Sequence, residues 1–411
     1  MPSMKTLAQF ALFSAFFVST TVAAAEPRKE IVHGKPSFVF DNGETRVAVT
    51  ETGGQMIAWF AGGEAGKPAI APYHVTPWQE EGKTIEPPLL DVLRGDFFCL
   101  PFGGNADPYK GEQHPPHGET ANGVWTLLPS ADSGDSKTLR LEIAIKVRPG
   151  KVTKELKLVA GHPVIYSRHT IEGFAGPTPL GHHATLSLPE KEGALRVSTS
   201  PFRIGLTNPT RFSDPAKEEY QSLAIDAKFG DLAKVPQIFK DAADADCTSF
   251  PLRRGYADLL CVVNEASREG QPAWVAAVNN ESGYLWFALK DPSVLPSLLF
   301  WIENRGRHGA PWNGRNNCLG LEDLCTYFAD GIAPSTSENP LRKRGVKTAV
   351  DIPAGGKPLE IRYIQGAVPV SAGFEKVERV EFSAGRVVFH GAGGRRAEAA
   401  CDYDFLNAAA R

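Results

Sequence analysis

Thr138-Leu139-Arg140-Leu141-Glu142-Ile143-Ala144-Ile145-Lys146-Val147 is the stretch on which the fold turns. Leu139, Leu141, Ile143, Ile145 and Val147 recur at every second residue, with Arg140, Glu142 and Lys146 between them. A period of two puts the apolar side chains on one face of a strand and leaves the other face wet. The same signature extends outward in both directions. Upstream, Phe38-Val39-Phe40 runs into Asn42-Gly43 and then into residues 45–49. Asn-Gly tolerates the positive φ angles of a hairpin turn, so this reads as strand, turn, strand. Residues 56–60 form an apolar run between glycine pairs, and Leu156, Leu158 and residues 164–166 continue the pattern. Downstream, strands are expected at 274–278, 284–289 and 359–364, and 377–382 with 386–390 should close a hairpin around Ser383-Ala384-Gly385. Helix is scarce. Short pieces are expected near 215–224, where Asp214-Pro215 offers a start signal, and near 235–245.

Composition agrees with many short strands joined by turns. The 411 residues include 40 glycines and 32 prolines, above the background of about 12% for the pair. A helical bundle would not carry so much turn chemistry. Lysine and arginine number 44 against 47 acidic residues, a net charge of -3, which leaves no electrostatic footprint for nucleic acid. No fixed-period repeat is visible, which argues against propellers and solenoids.

Residues 1–25 read as a leader. Lys5 precedes the apolar run 10–18, and Ala23-Ala24-Ala25 precede Glu26. That order is a secretory signal peptide, with an apolar run too short to span a bilayer. Cleavage after Ala25 leaves a single domain at 26–411, periplasmic or secreted, with no membrane attachment. The oligomeric state is open. Six cysteines lie in the mature part without any CxxC pair. In an oxidising compartment they suggest one or two structural disulfides of undetermined pairing, the remainder being buried thiols. The expected architecture is one all-β antiparallel sandwich with few short helices. Its long loops, about 62–135 and 200–250, are where sites and lids belong.

Familiar chemistries are missing at the motif level. The chain has no GxGxxG after a strand, no GxxxxGK[ST], no HExxH and no GxSxG. No metal or cofactor is expected. Five polar clusters stand out instead, beside glycine, proline or aromatic residues. They run from Arg94 to Asn105, from His114 through His117-Gly118-Glu119 to Trp125, from Gly181 to Pro189, from Trp301 to Gly306, and from Asn317 to Cys325. Such mixtures suit a polyhydroxylated ligand held by hydrogen bonds and stacked on aromatic faces.

The ordered set Arg94-Gly95, Pro101-Phe102-Gly103, His117-Gly118, the strand histidine His183 and Leu321-Glu322 resembles the aldose 1-epimerase, or galactose mutarotase-like, superfamily. The resemblance spans residues 30–370 in order and implies a large β-supersandwich. It implies that His183 is the general acid, Glu322 the general base, and His117 and Arg94 the sugar-binding groups. Departures from the family pattern are His182 in place of an asparagine and Glu119 in place of a second glycine. Asn105, Glu303 and Trp301 are further candidates for binding substrate, and Glu303 with Arg305 forms an alternative acid–base pair or clamp. Strand alternation puts His182 and Asp323 on the face opposite His183 and Glu322, where Asp323 is expected to be solvated and His182 either exposed or part of the site.

Interconverting the anomers of a cyclic aldose needs one base and one acid near the anomeric centre, which a carboxylate and an imidazole supply. Burial among apolar neighbours would raise the pKa of Glu322 and a nearby Arg94 would lower it. The expected function is therefore an exported sugar epimerase. Two alternatives remain, a non-catalytic carbohydrate-binding protein on the same fold and a polysaccharide lyase.

Overall fold

The computed structural model describes residues 27–63, 66–265 and 270–410. The expected leader at 1–25 lies outside the described residues. Every ladder between strands is antiparallel. The stretch that opened the sequence reading is the strand Ser136–Ile145, with Leu139, Leu141, Ile143 and Ile145 buried. It belongs to a nine-stranded sheet whose middle is built by Ala273–Asn279, Tyr284–Lys290, Leu359–Pro369, Val164–Gly173 and Gly150–Val159. The expected hairpin at Asn42-Gly43 joins Lys35–Asp41 to Thr45–Thr50 inside a four-stranded meander.

An eight-stranded sheet packs against the nine-stranded one. Its successive neighbours include Phe202–Thr207, Tyr256–Asn264, Ser297–Asn304, Asn317–Cys325, Leu180–His182 and Phe98–Cys99, and Ala184–Ser187 also pairs with Asn317–Cys325. Its strands carry apolar residues on both faces. Leu298, Phe300 and Ile302 join the core between the sheets, while Leu299 and Trp301 join a second core on the opposite side. Each fully buried leucine, isoleucine or phenylalanine contributes roughly 1.5–3 kcal/mol. The second core exists because long loops cover the outer face of this sheet. Leu89, Leu93, Phe97 and Phe102 come from one loop, and Trp312, Tyr327 and Phe328 from others. A cavity lies under that cover.

The C-terminal strands Arg379–Ser383, Arg386–His390 and Arg396–Ala400 form a separate three-stranded sheet. Val387, Phe389 and Ala399 pack on Val278, Phe287 and Ile364, covering the outer face of the nine-stranded sheet.

Several expectations need correction. The helix expected near 215–224 is a single 3-10 turn, Pro215–Lys217, capped by the Asp214 side chain, which accepts from the Ala216 N–H. Residues 235–245 carry no helix. All six cysteines are free and buried, so the expected disulfides are absent. His182 and Asp323 are buried rather than exposed. Their face of the strand meets the nine-stranded sheet, not water. Asp323 pairs with Lys290 at 2.6 Å and accepts from the Tyr363 hydroxyl at 2.8 Å.

Candidate active site

The site is assembled at one edge of the eight-stranded sheet. Residues 94–99 run alongside 183–187, where His183 N–H donates to the Phe97 carbonyl at 3.0 Å and Thr185 N–H to Gly95 at 2.9 Å. Asn317–Cys325 lies beyond, with Leu321 opposite Ala184 in register. This pairing brings the side chains of His183 and Glu322 to the same face. His183 Nε2 stands 3.2 Å from Glu322 Oε1, and His183 Nδ1 lies 3.2 Å from the Thr185 hydroxyl. Gly320 sits two residues before Glu322 on that face. A Cβ there would come within 2.6 Å of Glu322 Oε1, so glycine leaves the carboxyl its space.

His117 arrives from the loop after residue 100. Its own φ is +58° and that of Gly118 is +78°. A Cβ at Gly118 would fall 1.9 Å from the Leu100 carbonyl oxygen, which explains the glycine after this histidine. The His117 ring meets His183 edge-on at 5.0 Å and approaches Cys99 Sγ at 3.5 Å. Phe97 stacks on His183 at 4.4 Å, nearly parallel. Phe102 packs edge-on against His117 at 5.0 Å.

These groups line a cavity of about 510 Å³, its open mouth included. Its walls add Leu89, Leu93, Phe212, Trp301, Arg307 and Trp312 to the two histidines and Glu322. Both long loops contribute, the first through Leu89 to His117 and the second through Phe212. Among the described residues no three His, Cys, Asp or Glu side chains gather as a metal site.

Electrostatics follow from the dry walls. Burial pushes the Glu322 carboxyl well above its ordinary range and the His183 imidazole well below its own. Burial also lowers His117, to about 4, and the Arg307 charge lowers both histidines further. Both shifts favour a neutral pair, with the proton on Glu322 and an unprotonated imidazole facing it.

The structure places the other sequence candidates as follows. Trp301 lines the cavity, and its indole N–H is buried without an acceptor. Glu303 is fully buried behind it and accepts from the backbone N–H groups of Gly306 and Arg307. Burial raises its carboxyl to about 7. Arg94 is not part of the cavity wall. Its guanidinium donates to the carbonyls of Val32 and His33 and to Gln79, and burial lowers it to about 10. Asn105 also lies off the wall. Its amide donates to the carbonyls of Pro101, Gly103 and Pro115, and its oxygen accepts from the Ile332 N–H. Both residues brace loops. Arg305 pairs with Glu190, away from Glu303.

Sequence reasoning missed Arg307, Trp312, Phe97 and Phe212. Arg307 lies two residues past Arg305, and the left-handed backbone at Arg305 (φ +60°) turns the chain so that the later arginine enters the wall. Only the turn Glu303-Asn304-Arg305-Gly306 hinted at this, and it does not say which arginine faces inward.

No family model matches the chain, and no curated protein matches it significantly. Solved structures do. The Slr1438 protein of Synechocystis sp. PCC 6803 superposes with a TM-score of 0.51 at 12% identity, over 87% of this chain and 99% of that one. A candidate mutarotase of Salmonella typhimurium, YeaD, gives 0.52 at 11%, over 83% and 93%. A candidate aldose 1-epimerase of Klebsiella pneumoniae gives 0.52 at 15%, over 82% of each chain. These superpositions cover 82–87% of the chain, and this protein has the galactose mutarotase-like fold.

Proposed function

We propose that the protein is an aldose 1-epimerase-like enzyme in which Glu322 and His183 interconvert the anomers of a sugar. The observation that carries this reading is the 3.2 Å approach of His183 Nε2 to Glu322 Oε1 inside an aromatic cavity. The names of the Salmonella and Klebsiella structures support it. Between them the two groups hold one proton, so one is an acid and the other a base. The base takes the proton of the anomeric hydroxyl, the C1–O1 bond becomes a carbonyl, and the C1–ring-oxygen bond breaks. The acid protonates the departing ring oxygen. Rotation about C1–C2 presents the other face of the aldehyde, and the ring recloses with both proton transfers reversed. With the proton on Glu322, Glu322 starts as the acid and His183 as the base, the reverse of the roles the resemblance implies, and ring closure returns both protons.

The remaining wall residues bind and orient. Phe97 holds the His183 ring by stacking, and Thr185 engages its Nδ1, which keeps Nε2 turned toward Glu322. Trp301, Trp312 and Phe102 offer apolar faces to the C–H side of a sugar ring. His117 offers a ring nitrogen to a hydroxyl.

The test is exchange NMR on the purified protein with a panel of free aldoses. Wild-type protein should accelerate exchange between anomeric signals, and Glu322→Gln and His183→Ala should each lose about 10²–10⁴-fold. Acceleration that survives Glu322→Gln would sink the assignment. Saturable binding without acceleration would make the protein a carbohydrate-binding module, and an unsaturated product from an acidic polysaccharide would make it a lyase.

A further inference from the structure

One cation lines the cavity. Arg307 lies over the rings of Trp312 at 4.8 Å, Phe212 at 5.4 Å and Trp301 at 5.6 Å. This aromatic cradle fixes the plane of its guanidinium. Its Nε faces Glu303 Oε2 at 3.5 Å, an ion pair without a hydrogen bond. Among the described residues its two Nη nitrogens have no hydrogen-bond partner. Glu303 accepts from the backbone N–H groups of Gly306 and Arg307, and a Cβ at Gly306 would fall 2.3 Å from the Tyr256 backbone, so the turn that aims Arg307 is tightly packed. The indole N–H of Trp301 on the same wall is buried without an acceptor.

The Arg307 side chain is 30% exposed, so its Nη edge meets water at the cavity mouth, and a guanidinium that the protein leaves unbonded at the rim of a mostly apolar pocket is placed to receive an oxyanion. A planar, bidentate donor matches a carboxylate. Among the lining residues no lysine or second arginine joins Arg307, which suits a single negative charge better than a phosphate dianion. We infer that the substrate is an acidic sugar, and that Arg307 receives its carboxylate while the rest of the ring reaches the Glu322–His183 pair. This rests on the epimerase reading for the role of that pair, but the recognition step is independent of it. The anion also accounts for the position of Glu303: it steers Arg307 from the Nε side and leaves the Nη edge open.

Binding measured by calorimetry, beside anomer exchange by NMR, separates the two ideas. The probes are glucuronate and galacturonate, their neutral parents glucose and galactose, and glucose 6-phosphate. Wild-type protein should prefer a hexuronate to its neutral parent by at least about tenfold, the size of one charge-assisted hydrogen bond. The preference should persist in Glu322→Gln, fall at least about tenfold in Arg307→Gln, and be partly restored in Arg307→Lys, which keeps the charge but not the fork. Thermal melting of each variant establishes that it is folded. Equal affinity for neutral and acidic sugars, tighter binding of the phosphate ester, or an unchanged preference in folded Arg307→Gln would each overturn the proposal. Arg307-dependent uronate binding without exchange would uphold it and remove the epimerase reading. Exchange of neutral sugars without preference would do the reverse.

Discussion

Glu322 and Asp323 are consecutive residues of one strand, and they live in opposite chemistries. Asp323 points between the two large sheets. There it finds Lys290 at 2.6 Å and the Tyr363 hydroxyl at 2.8 Å. Glu322 points into the cavity, where His183 is its polar neighbour. The histidines repeat the division. His182 Nδ1 meets Asp96 at 2.9 Å in the inter-sheet layer, while His183 faces the cavity. Burial is nearly equal on the two sides, so burial alone does not mark a functional group. What differs is compensation. The inner carboxylate is matched by a buried cation, and the outer one has a proton and an open volume instead.

If this contrast is right, removing each carboxylate should fail in a different way. Asp323→Ala leaves Lys290 buried without its counter-charge and should cost about 3–5 kcal/mol of stability, read by urea denaturation. Glu322→Gln replaces a protonated carboxyl with a neutral amide of the same shape. It should change stability by no more than about 1 kcal/mol while anomer exchange is lost. Comparable stability losses for both would erase the distinction.

Glu303 sharpens the comparison through pH. Its folded carboxyl titrates at about 7, raised from the ordinary 4.5 chiefly by burial. The folded state thus holds a proton that the unfolded chain releases. That contribution is fully present below about pH 4.5 and is lost as pH rises through about 7, at a cost of about 3 kcal/mol. Relative to Glu303→Gln, the wild type should lose stability across this window and show no further relative change above it. Parallel pH profiles of the two proteins would place the carboxylate in a compensated site after all.

A smaller effect is expected at Gly320. An added Cβ there meets Glu322 Oε1 at 2.6 Å and Trp301 Cβ at 3.0 Å. Gly320→Ala should cost about 1–3 kcal/mol by overpacking. By displacing the carboxyl it should also slow exchange by about 10²-fold. The last check costs the fold nothing. A thiol reagent should find no reactive cysteine in the native protein and six after unfolding without reductant. A count below six would restore a disulfide.

The legible parts of the fold were those with one wet face. Ser136–Ile145 and the Asn42-Gly43 hairpin announce themselves by alternation and turn chemistry. Tyr256–Asn264 and Ser297–Asn304 gave no such signal, because Leu-Leu-Phe-Trp-Ile is apolar at every position. Loops cover their second face, and a strand buried on both sides has no period to read. Asp323 was expected in water because nothing local shows that its face of the strand meets the nine-stranded sheet. In the site, His183, Glu322 and His117 carried local signals, and the fold brings them to one cavity. Arg94 carried an equally good signal and is spent on the Val32 and His33 carbonyls, whereas Arg307 carried almost none and lines the wall.

The sequence by itself determined the β architecture, the turns, the absence of familiar cofactor motifs and the residue types able to move a proton. Those follow from local periodicity and chemistry, which the chain states directly. Tertiary structure alone decided what the face opposite Glu322 meets, which arginine enters the cavity wall, and that six cysteines stay apart. Each of these depends on the register between strands distant in sequence and on loops that fold over them, and no local pattern encodes either.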